Sequence, residues 1–132
     1  MEFHLKFIGI ILIILAIIHI IFPKHFKWKD EFINVSLINK EIMYVHTFFI
    51  AVVVLLMGIL CLSSATEIIE TPFGRKISLG FSIFWGLRLL IQFFGYSSIL
   101  WRGKIFETTV HILFAMIWTY FTFVFGYIYF VF

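Results

Sequence analysis

The chain has 132 residues, of which 63% are hydrophobic and 21% aromatic, and its formal net charge is +3. Only 13% of the residues are charged, and the mean hydropathy is +1.11. A soluble domain of this length needs more charge to cover its surface, so the composition excludes one and indicates an integral membrane protein. The modest positive charge points to lipid head groups rather than nucleic acid, and the single cysteine, Cys61, excludes an internal disulfide.

Four apolar segments follow one another along the chain, each close to the roughly 20 residues that a spanning helix requires. The first runs from about residue 3 to 22, and Pro23 is predicted to end it. The other three are predicted at about residues 41–62, 76–97 and 105–129. The first segment lacks the small residues of a signal-peptide cleavage site, so we expect it to be retained.

Three connections join these segments. Residues 23–39 mix lysines with aromatic residues, which predicts an interfacial helix or, as the favoured interpretation, a basic loop anchored on the head groups. Residues 63–74 are predicted to form a polar turn, and residues 97–104 a tight connection. Short connections between neighbouring segments favour an all-α, up-down-up-down bundle of four transmembrane helices, formed as a single domain.

The basic residues divide unequally between the two sides of this bundle. The side of the termini carries Lys6, Arg75 and Lys76. The opposite side carries Lys24, Lys27, Lys29, Lys40, Arg102 and Lys104. Because short cytoplasmic loops carry an excess of lysine and arginine, the 23–39 and 97–104 connections are predicted to be cytoplasmic. Both termini would then lie outside, with the protein in the plasma (inner) membrane.

A layer of polar residues lies near the predicted cytoplasmic boundary. The third segment carries Arg88 and Gln92 one helical turn apart, and an arginine within a span is costly enough to need a partner, a ligand or water. Glu107 lies in the fourth segment at a similar depth. Each of the other three segments also contributes a histidine there, namely His19, His46 and His111. This layer predicts a buried site that opens toward the cytoplasmic interface.

The residue types in this layer suit a transition-metal site. Neutral imidazole is a favoured ligand of zinc, iron and copper. Arg88 and Gln92 would bind and orient the cofactor or an anionic or carbonyl group of the substrate, and Glu107 would move protons or complete the ligand set. The predicted metal ligands are His19, His46 and His111. The predicted function is redox or hydrolytic chemistry on a lipid-soluble substrate.

Haem is an alternative cofactor for the same layer. His46 and His111 would be its axial ligands, from helices that lie diagonally opposite in an up-down bundle, and Arg88 would pair with a propionate. A haem needs small residues beside its ligands, and Ala115 is nearly the only one near either histidine. A single metal ion is therefore favoured over haem.

Two further alternatives need no metal. In the first, Arg88 binds an anionic lipid head group or a quinone carbonyl, and the histidines relay protons. In the second, Arg88 pairs with Glu107, Gln92 caps the pair, and the histidines form interhelical hydrogen bonds. The function would then be that of a small transporter, a channel or an accessory subunit. The sequence leaves open whether the chain is an enzyme, and a homo-oligomer is compatible with each alternative.

Small residues are expected to let helices approach closely. On the fourth segment they form a stripe that is typical of a helix-packing face rather than a pore, namely Thr108, Ala115, Thr119, Thr122 and Gly126. On the third segment, Gly80 and Gly86 are predicted to allow a close approach in the same way.

Overall fold

The computed structural model describes residues 1–25, 27–95 and 103–132. Within these ranges the chain forms helices α1 (Glu2–His25), α2 (Trp28–Glu31), α3 (Leu37–Ser63), α4 (Ala65–Glu70), α5 (Pro72–Phe94) and α6 (Ile105–Val131). Four of them, α1, α3, α5 and α6, are long and apolar enough to cross a bilayer. The protein is an all-α, multi-pass membrane protein, which confirms the predicted fold class.

The chain divides into two compact units, residues 1–65 and 66–132. In the first unit α1 packs along α3, and in the second unit α5 packs along α6. We refer to these two helix pairs as the first and the second hairpin. The up-down order of the four spans and the single-domain organisation stay predictions.

Helix α1 is longer than predicted, because Pro23 lies inside it and the helix continues to His25. The pyrrolidine ring fixes φ near the helical value, so residues that follow a proline can complete the last turn. The predicted end at residue 22 was therefore wrong.

The segment between α1 and α3 contains a short helix as well as loop residues. Lys27 has φ 54°, a left-handed conformation, and it precedes α2. The Trp28 ring stacks on Phe32 with centroids 5.0 Å apart and meets the edge of Tyr44 at 5.5 Å. These three rings hold the segment against the start of α3, and the anchoring of the segment on the head groups stays a prediction.

Helix α3 begins at Leu37, four residues before the predicted start. The Ser36 hydroxyl accepts a hydrogen bond from the backbone N–H of Asn39 at 3.4 Å, which caps the first turn. A serine at this position compensates for backbone donors that have no partner within the helix. The polar residues before residue 41 therefore belong to the helix.

Residues 63–74 contain helix α4 in addition to a turn. The Thr71 hydroxyl donates to the Glu67 carbonyl at 2.6 Å and accepts from the Gly74 N–H at 2.9 Å, which joins α4 to α5. A Cβ atom on Gly74 would overlap the Glu67 carbonyl oxygen and lie 2.5 Å from the Ile68 Cα atom. Glycine is required for this close corner, and α5 starts at Pro72 rather than at residue 76.

Helix α5 ends at Phe94, where the N–H of Gly95 donates to the Ile91 carbonyl at 2.8 Å. The predicted end of the third segment at residue 97 and most of the 97–104 connection, including Arg102, lie outside the described residues. Helix α6 begins at Ile105 as predicted and continues to Val131, two residues beyond the predicted end.

The first hairpin is closely packed at two glycines. A Cβ atom on Gly9 would lie 2.8 Å from the Gly58 carbonyl oxygen, and one on Gly58 would lie 2.9 Å from the Gly9 carbonyl oxygen. The fully buried side chains of Leu5, Ile8 and Leu12 lie on the same helix as Gly9. Small residues that bring two backbones together are a common way to join helices in lipid.

The second hairpin is joined by hydroxyl groups. The Ser78 hydroxyl donates to the Phe125 carbonyl at 2.7 Å, and the Ser82 hydroxyl donates to the Thr122 carbonyl at 2.9 Å. These bonds pair a later residue of α5 with an earlier residue of α6, so the two helices run antiparallel. A Cβ atom on Gly126 would lie 3.2 Å from the Ser82 hydroxyl oxygen, as expected of a packing face.

Gly80 and Gly86 of α5 are not close contacts with α6. A Cβ atom on Gly80 would meet no described atom within 4 Å, so Gly80 makes no close approach to α6, and its approach to another helix stays a prediction. One on Gly86 would lie 3.5 Å from the Thr122 methyl group, which is an ordinary contact. On α5, the serines at positions 78 and 82 bond to α6 instead.

Candidate site in the second hairpin

Gln92 is a buried polar residue at the α6-facing side of α5. Ser78, Trp85 and Gln92 are all buried and lie seven residues apart, which returns to nearly the same helix face after two turns. Gln92 is only 6% exposed. A buried amide in this position needs hydrogen-bond partners on both its oxygen and its nitrogen.

Two donors converge on the side-chain oxygen of Gln92. The indole Nε1–H of Trp118 and the guanidinium Nη1–H of Arg88 each donate to Gln92 Oε1, both at 3.3 Å. An indole and a guanidinium have no acceptor, so only the carbonyl side of the amide can face them. The amide nitrogen of Gln92 therefore points away from these two donors.

The amide nitrogen of Gln92 lies 2.8 Å from Nδ1 of His111. Because the amide nitrogen is a donor, Nδ1 must be the acceptor, and the ring is neutral with its proton on Nε2. A charged imidazolium would carry a proton on both nitrogens and would oppose the Gln92 amide. The network thus makes His111 a hydrogen-bond donor through Nε2–H.

Aromatic stacking holds Trp118, and Trp118 holds Arg88. The Trp118 ring stacks on Trp85 with centroids 5.0 Å apart and planes within 7°, and on Phe114 at 5.6 Å. The Arg88 guanidinium carbon lies 5.2 Å from the Trp118 ring centroid, a cation–π contact. Arg88 is therefore bound to an aromatic face and an amide oxygen within its own hairpin.

Trp85 differs from its stacking partner. It is 3% exposed, and its indole N–H has no hydrogen-bond partner among the residues that the structure describes. A buried donor without an acceptor costs about 1–3 kcal/mol. The cost of the unpaired donor can be measured by replacing Trp85 with an aromatic residue that has no N–H group.

His111 also lines an open groove of about 670 Å³ along α6. The other lining residues are apolar or small, namely Phe93, Ile112, Ala115, Met116, Thr119, Tyr120 and Phe123. His111 thus belongs to both the polar network and the groove.

The two histidines of the first hairpin bond to their own helices. Nδ1 of His19 lies 2.8 Å from the Leu15 carbonyl oxygen, and Nδ1 of His46 lies 2.9 Å from the Ile42 carbonyl oxygen. A carbonyl oxygen can only accept, so Nδ1 carries a proton in both rings. At His111, by contrast, Nδ1 is the acceptor.

Glu107 is exposed on the first turn of α6, and none of the hydrogen bonds described above includes it. Among the described residues, no group of three or more His, Cys, Asp or Glu side chains is placed to hold a metal ion. Of the six residues predicted for the site, the second hairpin joins Arg88, Gln92 and His111 in one network. The two predicted ligands His19 and His46 belong to the first hairpin.

The sequence analysis missed Trp118, which orients Gln92 and contacts Arg88. A signal was present in the spacing, since His111, Trp118 and Phe125 repeat every seven residues on α6. On α5, Ser78, Trp85 and Gln92 repeat in the same way. Because a spacing of seven residues returns to nearly the same helix face, the two repeats indicate faces of α5 and α6 that can contact each other.

No protein family, curated protein or solved structure matches this chain.

Proposed function

We propose that the second hairpin binds a lipid-soluble molecule through a carbonyl oxygen, which accepts a hydrogen bond from Nε2–H of His111. The orientation of the Gln92 amide carries this proposal, because it places the only ring proton of His111 on Nε2. Gln92 positions His111, and Arg88 and Trp118 position Gln92.

The chemistry of the network favours an oxygen acceptor. The positive charge of Arg88 and the dipoles of Gln92 and His111 are aligned in one chain, and hydrogen bonds in a chain strengthen one another. In hydrocarbon, where water does not compete, a donor of this kind binds a carbonyl oxygen well. The apolar groove would bind the body of the same molecule. Quinones and the ester groups of phospholipids both carry such a carbonyl.

The same network disfavours His111 as a metal ligand. Nδ1 of His111 accepts from Gln92, and Nε2 carries the proton, so neither nitrogen offers a lone pair to a metal. Coordination of zinc, iron or copper by His19, His46 and His111, and the less favoured haem, stay predictions. Stoichiometric metal in the purified protein, lost in His111→Ala and retained in His4→Ala, would support them against our proposal.

Infrared difference spectroscopy tests the proposal with two probes. The purified protein in nanodiscs is measured with a benzoquinone whose carbonyl carbons are isotope-labelled, and separately with a phospholipid labelled at its ester carbonyls. We expect a saturable labelled band at lower wavenumber than the free carbonyl band, since a hydrogen bond weakens the C=O bond. The probe that gives this band identifies the source of the carbonyl.

Matched histidine variants provide the control for this experiment. We expect the shifted band to disappear in His111→Phe and in Gln92→Leu, and to remain in His46→Phe, where the lost hydrogen bond lies within α3. A shifted band that persists in His111→Phe, or the absence of any saturable band with both probes, would contradict the proposal.

Redox or hydrolytic chemistry on the bound molecule, with Glu107 as the group that moves protons, stays a prediction beyond this binding function. It would require Glu107 to exchange protons with the bound carbonyl or with water. Turnover of the identified ligand that is lost in Glu107→Gln, with unchanged binding, would support it.

We also propose that both termini lie outside and that the protein resides in the plasma (inner) membrane. The support is the excess of lysine and arginine on the side of the 23–39 and 97–104 connections. Cysteines placed singly at Lys27 and at Glu70, in a Cys61→Ala background, would report the two sides. Labelling of position 70 but not of position 27 by an impermeant thiol reagent in intact cells is expected.

A further inference from the structure

The Gln92 amide could lie in two orientations that differ by half a turn, and its neighbours allow only one of them. Its oxygen accepts from the Trp118 indole and the Arg88 guanidinium, each at 3.3 Å, and its nitrogen donates to His111 Nδ1 at 2.8 Å. In the reversed orientation the amide N–H groups would face two side chains that have donors and no acceptor. Both of those hydrogen bonds would then be lost.

Burial makes this restriction on the amide strong. Gln92 and Trp118 are both buried, and the stack on Trp85, with planes within 7°, holds the ring of Trp118. A buried donor left without an acceptor lowers the population of a state by about tenfold or more. Since two donors face the Gln92 oxygen, the reversed amide would make up about one part in a hundred or less of the molecules.

We infer that this fixed amide makes the site selective for one oxidation state of its ligand, the carbonyl form over the corresponding hydroxyl form. The inference rests on the proposed function and deepens it, because it names the ligand state that the donor at His111 Nε2 prefers. Trp118 and Arg88 act on the ligand through Gln92 and His111. They are positioning residues that set the hydrogen-bond polarity of the site.

A hydroxyl ligand differs from a carbonyl ligand because its own proton needs an acceptor. His111 Nε2 cannot be that acceptor, since it already carries the ring proton. Among the described groove residues, those nearest to His111 have no side-chain acceptor, namely Phe93, Ile112 and Ala115. Glu107, one turn earlier on α6, is exposed and does not line the groove. In hydrocarbon, the unpaired O–H group would lower the affinity for the hydroxyl form by about tenfold or more.

A benzoquinone and its hydroquinone test the inference on the wild-type protein in nanodiscs. The two probes share one ring and differ only in carrying carbonyl or hydroxyl groups, and the hydroquinone is kept reduced without oxygen. Each is titrated while nitrogen-15 NMR follows the Nε2 resonance of His111, with correction for partitioning into the lipid. We expect the quinone to bind at least about tenfold more tightly than the hydroquinone.

The outcomes of this titration separate the inference from the proposed function. Equal affinities for the two probes would overturn the selectivity and leave the carbonyl site standing. If neither probe moves the His111 resonance, the selectivity is wrong, and the labelled phospholipid ester decides whether the carbonyl site exists. The titration uses the wild-type protein, so its result does not depend on the folding of a variant.

Gln92→Glu tests whether residue 92 sets the polarity of the site. A carboxylate can only accept, so it would pair with Arg88 and Trp118 and also take a hydrogen bond from His111 Nδ1–H. Because Arg88 balances the new charge, we expect the ring to stay neutral in mildly alkaline buffer and Nε2 to become an acceptor. The preference should then invert, by about tenfold, toward the hydroquinone. Retention of the quinone preference would overturn the inference, and His46→Phe is the control expected to retain it.

Discussion

The two hairpins are built from helices of similar length, yet they are joined by different interactions. In the first, Gly9 and Gly58 bring two backbones together, and His19 and His46 bond to carbonyls of their own helices. In the second, serine hydroxyls bond across to α6, and Gln92 connects side chains from both helices. The side-chain hydrogen bonds described for the first hairpin lie within single helices, whereas the second hairpin also has hydrogen bonds between its helices.

This difference illustrates two ways of joining a pair of helices in lipid. Close backbone packing joins two helices in lipid without any polar group, so the first hairpin needs no interhelical hydrogen bond. Polar groups placed between helices must be fully paired, and their pairing fixes proton positions. The second hairpin fixes the tautomer of His111 in this way, which is why the candidate site lies there.

The largest expected effect breaks the glycine contact of the first hairpin. Gly58→Leu would force a side chain against the Gly9 carbonyl and the Ile13 side chain, which a Cβ atom alone would approach to 2.9 and 3.0 Å. We expect a loss of about 3 kcal/mol in the free energy of unfolding, measured by denaturant titration in detergent. Gly80→Leu is the control, because its Cβ atom meets nothing within 4 Å. Equal losses in both variants would contradict the glycine contact.

A smaller loss is expected from the polar network of the second hairpin. Gln92→Leu replaces the amide with an apolar side chain of similar size. It removes the hydrogen-bond partner of Trp118, Arg88 and His111. Two of these bonds join α5 to α6, and hydrogen bonds between membrane helices contribute about 0.6 kcal/mol each on average; with the buried Trp118 donor also left unpaired, we expect a loss of about 2 kcal/mol. The same titration applies, with His46→Leu as the control that removes one bond within a helix. A loss no larger than that of His46→Leu would show that the network does not hold the hairpin.

The smallest effect distinguishes the two stacked indoles. Trp118→Phe loses a hydrogen bond to Gln92, and we expect it to lower the free energy of unfolding by about 1 kcal/mol. Trp85→Phe keeps an aromatic ring and removes a buried donor that has no partner among the described residues, so we expect no loss or a gain of about 1 kcal/mol. A larger loss in Trp85→Phe than in Trp118→Phe would contradict the unpaired state of the Trp85 N–H.

The sequence predicted how far along its helix each site residue lies better than it predicted which way that residue faces around the helix axis. Hydropathy and length located the four spans, and counting residues from the boundaries placed Gln92 and His111 at a similar depth, where they meet. Rotation depends on the partner helix, which one sequence does not specify. His19 and His46 share the predicted depth with His111, yet each bonds to its own helix.

Helix ends and aromatic contacts were also beyond the sequence analysis. The starts of α3 and α5 depend on capping by Ser36 and Thr71, which only the folded turns make recognisable among other polar residues. With 21% aromatic residues in the chain, no single tryptophan is distinctive, so Trp118 was not recognised as part of the site. Its role depends on the stack with Trp85.

Nitrogen-15 NMR of histidine-labelled protein tests the central claim most directly, because it reports which ring nitrogen carries the proton. Resonances are assigned by replacing each histidine in turn with phenylalanine. We predict a neutral His111 with its proton on Nε2, and a proton on Nδ1 of both His19 and His46. In Gln92→Leu, His111 should change from the Nε2–H form alone to a mixture of the two tautomers. A proton on Nδ1 of His111 in the wild-type protein would contradict both the network and the carbonyl site built on it.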